Sequence, residues 1–304
     1  VIPDVTAAVS GKATAAAGAA SPAAKLDLAW LTLAPFFVFA LAFLLAPMGY
    51  LVVGSFQDEA GRFTLANLVG LFQPFVLQAY WLSIQVSAVT AVAGAVFGFL
   101  LAYAIVLGGL PRWVRSALLT FSGVASNFAG LPLAFAFIAT LGRTGAATVF
   151  AKSVLHLDLY GLGFNLYSLA GLSLTYLYFQ FPLMVLIMTP ALDGLRREWR
   201  EAAESLGATS AEYWRHVALP ILTPPILGSA ILLFGNAFGA YATAFALTGG
   251  TFNFATILIG AETRGDVLHN PGLGYAVALG MVIIMAASIA AYSRLQRLSA
   301  RWTR

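Results

Sequence analysis

The side chains of this chain that could do chemistry do not converge on one another. His156, His216 and His269 fall in separate polar segments, whereas a metal site needs ligands brought to one point. Gly11-Lys12-Ala13 lacks the upstream glycine and the hydroxyl residue after lysine with which a phosphate loop cradles phosphates and holds magnesium. The chain therefore does not bind nucleotide by that route. No serine stands in a Gly-x-Ser-x-Gly elbow, and paired carboxylates occur only in loops. The absence of cysteine excludes a disulfide framework, thiolate ligands and a cysteine nucleophile. The expectation is a chain with no catalytic residue, no metal ligand and no cofactor of its own.

One polar stretch does carry a dense pattern: Glu201-Ala202-Ala203-Glu204-Ser205-Leu206-Gly207, running on to Val217-Ala218-Leu219-Pro220. Leu192, Leu195, Trp199, Ala202 or Ala203, and Leu206 recur at steps of three and four, which places them on one face of a helix, with Arg196, Arg200, Glu201 and Glu204 elsewhere. Gly207 follows the last periodic residue, where a residue without Cβ closes a helix in the left-handed conformation. Thr209 and Glu212 have the spacing of a capping box and predict a second helix. That helix is expected to reach only about Val217, because Pro220, Pro224 and Pro225 follow, and two turns are marginal in water without a surface to dock on.

Glu-Ala-Ala, three residues, Gly, nine residues, an aliphatic, one residue and Leu-Pro resembles the signature of membrane subunits of binding-protein-dependent ABC importers of type I. Every fixed position fits, with Val217 where isoleucine is usual. The resemblance covers approximately residues 30–295. It implies that the loop at 191–222 is the coupling helix region that sits in a groove of a cytoplasmic ATPase, with Glu201, Ala202, Ala203, Gly207, Thr209, Glu212, Tyr213, Trp214, Leu219 and Pro220 as the coupling residues. It further implies a second related permease, two cytoplasmic ATP-binding subunits that hold the ATP and magnesium, and an extracytoplasmic solute-binding protein.

The elements that must carry this loop are legible in the composition. Of 304 residues, 60% are hydrophobic and 9% charged, with mean hydropathy +0.87, which places the chain among polytopic membrane proteins. The reading is all-α with six membrane-crossing helices: about 30–53, 81–107, 117–141, 167–190, 225–247 and 273–292, each near the length that crosses roughly 30 Å of hydrocarbon. Residues 1–25, rich in Ala, Ser, Thr and Gly, read as a flexible tail, and 26–304 as the transmembrane domain. Phe63 to Leu68 reads as a short interfacial segment. The third span is interrupted by Ser126-Asn127 and Gly130-Leu131-Pro132, backbone tolerated at that depth only beside protein or a wet cavity. Pro225 reads as the first-turn residue of span five.

The net charge of +4 sits in the loops between apolar segments, so it orients a membrane protein and does not point to nucleic acid. Lys12, Lys25, Arg112, Arg115, Arg196, Arg197, Arg200, Arg215, Arg294, Arg297, Arg301 and Arg304 fall on the side of the termini. Arg62, Arg143, Lys152 and Arg264 fall opposite. The positive-inside rule puts both termini and the 191–222 loop in the cytoplasm, and the resemblance implies that the membrane is a bacterial cytoplasmic one.

Inside the spans the candidate translocation residues are polar: Asn127, Tyr178, Gln180, Asn236, Tyr241 and Thr243. Each either bonds helix to helix or faces a solute path. No span carries an ionisable acid or base in its central part, which argues against a proton-driven carrier and leaves a channel or a sodium-coupled carrier as the rival to an ATP-driven importer. The strings 126–132 and 247–250 resemble permeases for polyamines, opines and phosphonates. Spermidine or putrescine is the first expected solute, ahead of phosphonate, thiamine, ferric iron and sugars.

Overall fold

The structure, a computed structural model, describes residues 29–58, 60–264 and 270–302, with side chains described between 33 and 294. The expected tail at 1–25, Glu59, Asp266, His269 and the side chains of the last three arginines lie outside the described residues. Among those described, the regular elements are all helices, apart from an isolated bridge between Gln57 and Phe63.

The chain divides into two compact units, Val1–Gly49 and Tyr50–Arg304. The first holds α1 (Ala29–Ala40), a π-helical turn (Leu41–Leu45) and the start of α2 (Ala46–Ser55). Its described side chains are apolar and largely exposed, with Phe39 stacked on Phe43 at 5.0 Å between ring centroids. The second unit continues α2 and adds α3 (Ala66–Gly70), α4 (Pro74–Leu107), α5 (Arg112–Asn127), α6 (Leu131–Leu141), α7 (Ala146–Ser153) and α8 (Leu169–Asp193). After these come α9 (Arg197–Ser205), α10 (Ser210–Tyr213), a second π-helical turn (Trp214–Ala218), α11 (Leu219–Phe238), α12 (Tyr241–Thr248), α13 (Ala255–Arg264) and α14 (Pro271–Trp302). The stretches 142–165 and 251–272, expected as loops, thus contain α7 and α13.

Among the described residues, six stretches are long and apolar enough to cross a membrane: Leu33–Ser55, Pro74–Leu107, Leu131–Ser153, Leu169–Asp193, Ser210–Phe238 and Pro271–Arg294. Contacts along α8 locate the third crossing differently, at α5 and α6 in tandem. Arg115 on α5 meets Asp193 at one end of α8, Phe128 meets Tyr178 midway, and Gly142 lies against Tyr167 at the other end. The two short helices therefore run antiparallel along the whole of α8, close to the sequence expectation of 117–141.

The centre of the second unit is α4 packed on α8 and α11. Gly94 and Gly98, four residues apart, face α8 so closely that a Cβ on Gly98 would lie 2.6 Å from Met184 Cβ, and one on Gly94 would lie 3.0 Å from Gln180 Cβ. Small residues let the two backbones approach where apolar solvent offers helices no hydrophobic reason to associate. Ala91, Ala95 and Ala102 continue that face, and Met184, Val185, Met188 and Leu233 fill the seam.

The second π-helical turn corrects two expectations. The helix after Thr209 does not stop near Val217, and Pro225 does not begin span five. Instead the chain stays helical from Ser210 to Phe238, with Pro220 in the first turn of α11 and Pro224 and Pro225 inside it. A proline has no N–H to give, and just before Pro220 the helix widens, with Leu219 N bonded to Trp214 O. Side-chain hydroxyls donate to carbonyls along the proline-rich stretch: Thr223 to Leu219 O at 2.6 Å, Tyr292 to Pro224 O at 2.9 Å and Ser229 to Pro225 O at 2.7 Å.

Candidate functional site

The polar loop folds as a helical hairpin. Gly207 has φ +82°, with Gly207 N bonded to Glu204 O and Ala208 N to Ala203 O, the pair of bonds by which a left-handed residue closes a helix. Thr209 and Glu212 form the capping box: the Thr209 N–H donates to Glu212 Oε2 at 2.7 Å and the Glu212 N–H to Thr209 Oγ1 at 3.3 Å.

Charges on α9 pair along the helix, Arg197 with Glu201 at 2.8 Å and Arg200 with Glu204 at 2.9 Å. Its apolar face is uncovered: Leu206 is 88% exposed, Trp199 37% exposed with the Arg196 guanidinium over its ring, and Ala202 exposed beside half-buried Ala203. The other side of the hairpin is anchored. Tyr213 is buried, Trp214 stands edge-on to Tyr103 of α4 at 5.1 Å, and Leu219 and Pro220 are exposed at the start of α11. At the entry to the hairpin, Arg115 bonds both Asp193 oxygens, at 2.8 and 2.7 Å.

A second constellation lies in the spans. Two crossings are broken, the third at 128–130 between α5 and α6 and the fifth at 239–240 between α11 and α12, and the breaks meet. Gly130, at φ +75°, donates its N–H to Thr243 Oγ1 at 2.8 Å, and the same hydroxyl lies 3.3 Å from Gly130 O. Tyr176 OH donates to Ala240 O at 2.8 Å. At each interruption a freed backbone group is thus met by a side chain from another helix, Gly130 by Thr243 and Ala240 by Tyr176.

The six polar span residues separate into two groups. Gln180 is fully buried, its Nε2 3.3 Å from both Thr90 Oγ1 and Leu233 O, and Thr243 is buried in the α6–α12 contact. Asn127 and Asn236 are exposed on the last turns before their breaks. Tyr178 is half-buried, edge-on to Phe128 and Phe137, and Tyr241 is half-buried and stacked on Phe245. Sequence reading did not single out Tyr176, Phe128 or the Arg115–Asp193 pair. Tyr176 had a signal available, since it stands two residues before Tyr178 and four before Gln180 in a span short of other polar groups.

The model of the family described as binding-protein-dependent transport system inner membrane component matches residues 94–304. The spermidine/putrescine transport system permease protein PotB of Haemophilus influenzae is 25% identical over 278 residues, 88% of this chain and 94% of its own length. The sulfate transport system permease protein CysT of Salmonella typhimurium is 25% identical, covering 72% of this chain and 74% of that protein. For the probable sulfate permease cysT of Chlorella vulgaris, 29% identical over 55% of this chain, the match spans 60% of the relative's length. Among solved structures, a bacterial ABC transporter involved in import of the acidic polysaccharide alginate aligns with TM-score 0.66 at 16% identity, over 91% of this chain and 96% of its own, which is a likeness of fold.

Proposed function

Because this chain belongs to the family of binding-protein-dependent transport system inner membrane components, we propose that it is the permease subunit of an ATP-driven type I importer, forming half of a translocation pathway. The observation that carries this reading is the Glu201 to Pro220 hairpin: capped, closed at Gly207, uncovered on its apolar face and continuous with span five. On this reading Glu201, Ala202, Ala203, Gly207, Thr209 and Glu212 shape and present the surface that an ATP-binding subunit grips, while Tyr213, Trp214, Leu219 and Pro220 join it to the bundle. ATP and magnesium are held by two such cytoplasmic subunits, and no covalent chemistry occurs on this chain. A second, related permease completes the pore, and a solute-binding protein delivers from the far side. Both termini are cytoplasmic, a reading supported by the distribution of basic residues.

Asn127, Asn236, Tyr178 and Tyr241 are the pathway residues with exposed or half-exposed polar groups. Gln180 and Thr243 act by holding helices around that path. The proposed solute is a polyamine, supported by the relative whose alignment covers nearly all of both chains. Sulfate is the second reading, favoured by several relatives over shorter stretches. Detergent extraction of the intact assembly through a tag on this chain, followed by mass spectrometry and uptake in vesicles, tests the assignment. Recovery of an ATPase, a second six-span protein and a binding protein, with ATP-dependent uptake of radiolabelled spermidine, is the expected outcome. Uptake of labelled sulfate alone would replace the solute, and transport without ATP by this chain alone would favour a channel or sodium-coupled carrier.

A further inference from the structure

We infer that residues 63–72 form an anchor lying in the membrane interface, with Leu65, Val69 and Phe72 in the outer acyl region of the lipid, and that it sets the depth of the over-long helix α4. These three residues fall at i, i+4 and i+7 and are 53%, 68% and 76% exposed. The opposite face is fixed to protein: Asn67 donates to Gln57 O at 2.8 Å, and Gly70 lies against Leu273, where a Cβ would come within 2.9 Å of Cδ1.

Leu77 and Trp81, in the first two turns of α4, are also exposed. No acid, base or histidine occurs between Arg62 and Arg112, so nothing on this strip offers a charged partner a contact. A lipid surface needs none, and the apolar face of an interfacial segment buries itself at the boundary between headgroups and acyl chains. Beside the strip, a cleft of about 460 Å³ lined by Val52, Val53, Phe56, Gln57, Gly61 and Phe63 offers an apolar seat for one acyl chain. The consequence concerns α4. At 34 residues it is about 51 Å long, against roughly 30 Å of hydrocarbon, so its own composition does not decide which part lies in the bilayer. A segment held at the interface immediately before Pro74 does decide it.

The chain has no native cysteine, so single labels are clean. Val69→Cys and, separately, Phe72→Cys would carry an environment-sensitive fluorophore, in the full transporter reconstituted in phosphatidylethanolamine and phosphatidylglycerol vesicles. The expected result is blue-shifted emission quenched by lipids spin-labelled high on the acyl chain and protected from iodide, with the reverse for Ala60→Cys in the preceding turn. Iodide quenching at both sites, or cross-linking of the Val69→Cys variant through its thiol to a second polypeptide with exclusion of lipid, would overturn the anchor. The depth role has its own readout: Val69→Asp with Phe72→Asp should shift the depth of a label at Val89 on α4, and an unchanged depth would overturn it.

Discussion

Gly207 allows the coupling reading to be tested almost free of packing effects. Its φ of +82° is costly for any residue with a Cβ, yet a Cβ built there meets no atom within 4 Å. The whole penalty of Gly207→Ala is therefore backbone strain, about 1–2 kcal/mol for an L residue held left-handed, and more for the β-branched Gly207→Val. Asparagine visits that conformation readily, so Gly207→Asn should lie close to wild type. A strain of 1–2 kcal/mol lowers the fraction of loops in the closed form by up to about 5–30-fold, and the apparent affinity for an ATPase subunit falls with it. Gly109, in the turn joining α4 to α5, is a matched control: φ is +71° and a Cβ there also meets nothing within 4 Å. The assay is uptake per ATP hydrolysed in proteoliposomes, together with the ATPase retained per permease during purification. The two alanine variants should lose similar thermal stability, but only the Gly207 series should lose retention and coupling, in the order Gly, Asn, Ala, Val. Full coupling in Gly207→Val, or equal uncoupling in the Gly109 variant, would refute the reasoning.

Removing the Thr243 hydroxyl with Thr243→Val orphans the Gly130 N–H and should cost about 1–3 kcal/mol, seen as a lower melting temperature of the detergent-extracted complex. Thr243→Ser keeps both bonds and should retain more stability than the valine variant; the opposite order would remove the role given to that hydroxyl. Gly98→Val forces α4 away from Met184 and should destabilise by about 1–3 kcal/mol or more through overpacking, with reduced accumulation in the membrane as the measure. Glu262 on α13 is buried, and that burial pushes its carboxyl above the usual range against a weaker opposing hydrogen bond from the Asn270 backbone. The folded protein thus holds this proton more tightly than the unfolded chain, and the penalty for ionising it grows as pH rises from about 4.5 through the folded value. Melting temperatures of Glu262→Gln and wild type should converge at acid pH and diverge, in favour of the variant, towards neutrality.

Much of the fold was legible because membrane solvent leaves few choices. Long apolar runs such as 81–107 and 167–190 had to be helices, since no water is present to satisfy any other backbone. The hairpin was legible for a different reason: glycine at 207 and Thr209 with Glu212 are local signals whose meaning does not depend on distant residues. What failed to show depended on contacts across the chain. Pro220, Pro224 and Pro225 read as a stop, because proline breaks an isolated helix, and nothing nearby in sequence announced the π-helical turn or the Tyr292 hydroxyl 68 residues away. The exposure of Asn127 and Asn236, against the burial of Gln180, likewise follows from which helix packs where. Periodicity within one span carries none of that information.

The uninterrupted helix from Ser210 to Phe238 changes the mechanics of the molecule. Had the prolines formed a joint, the hairpin would hang on a slack cord, and a push on it would dissipate in bending. With the π-helical turn in place the hydrogen-bonded path is continuous: α11 alone is about 30 Å long and joins the hairpin without a loop between them. A tilt of about 10° at the hairpin sweeps the far end of such a helix through roughly 5 Å, a distance comparable to one helical turn. That far end is where the fifth crossing breaks and Thr243 grips Gly130. On the coupling proposal, Gly239 and Ala240 are the first interruption that a movement of the hairpin would meet along this helix.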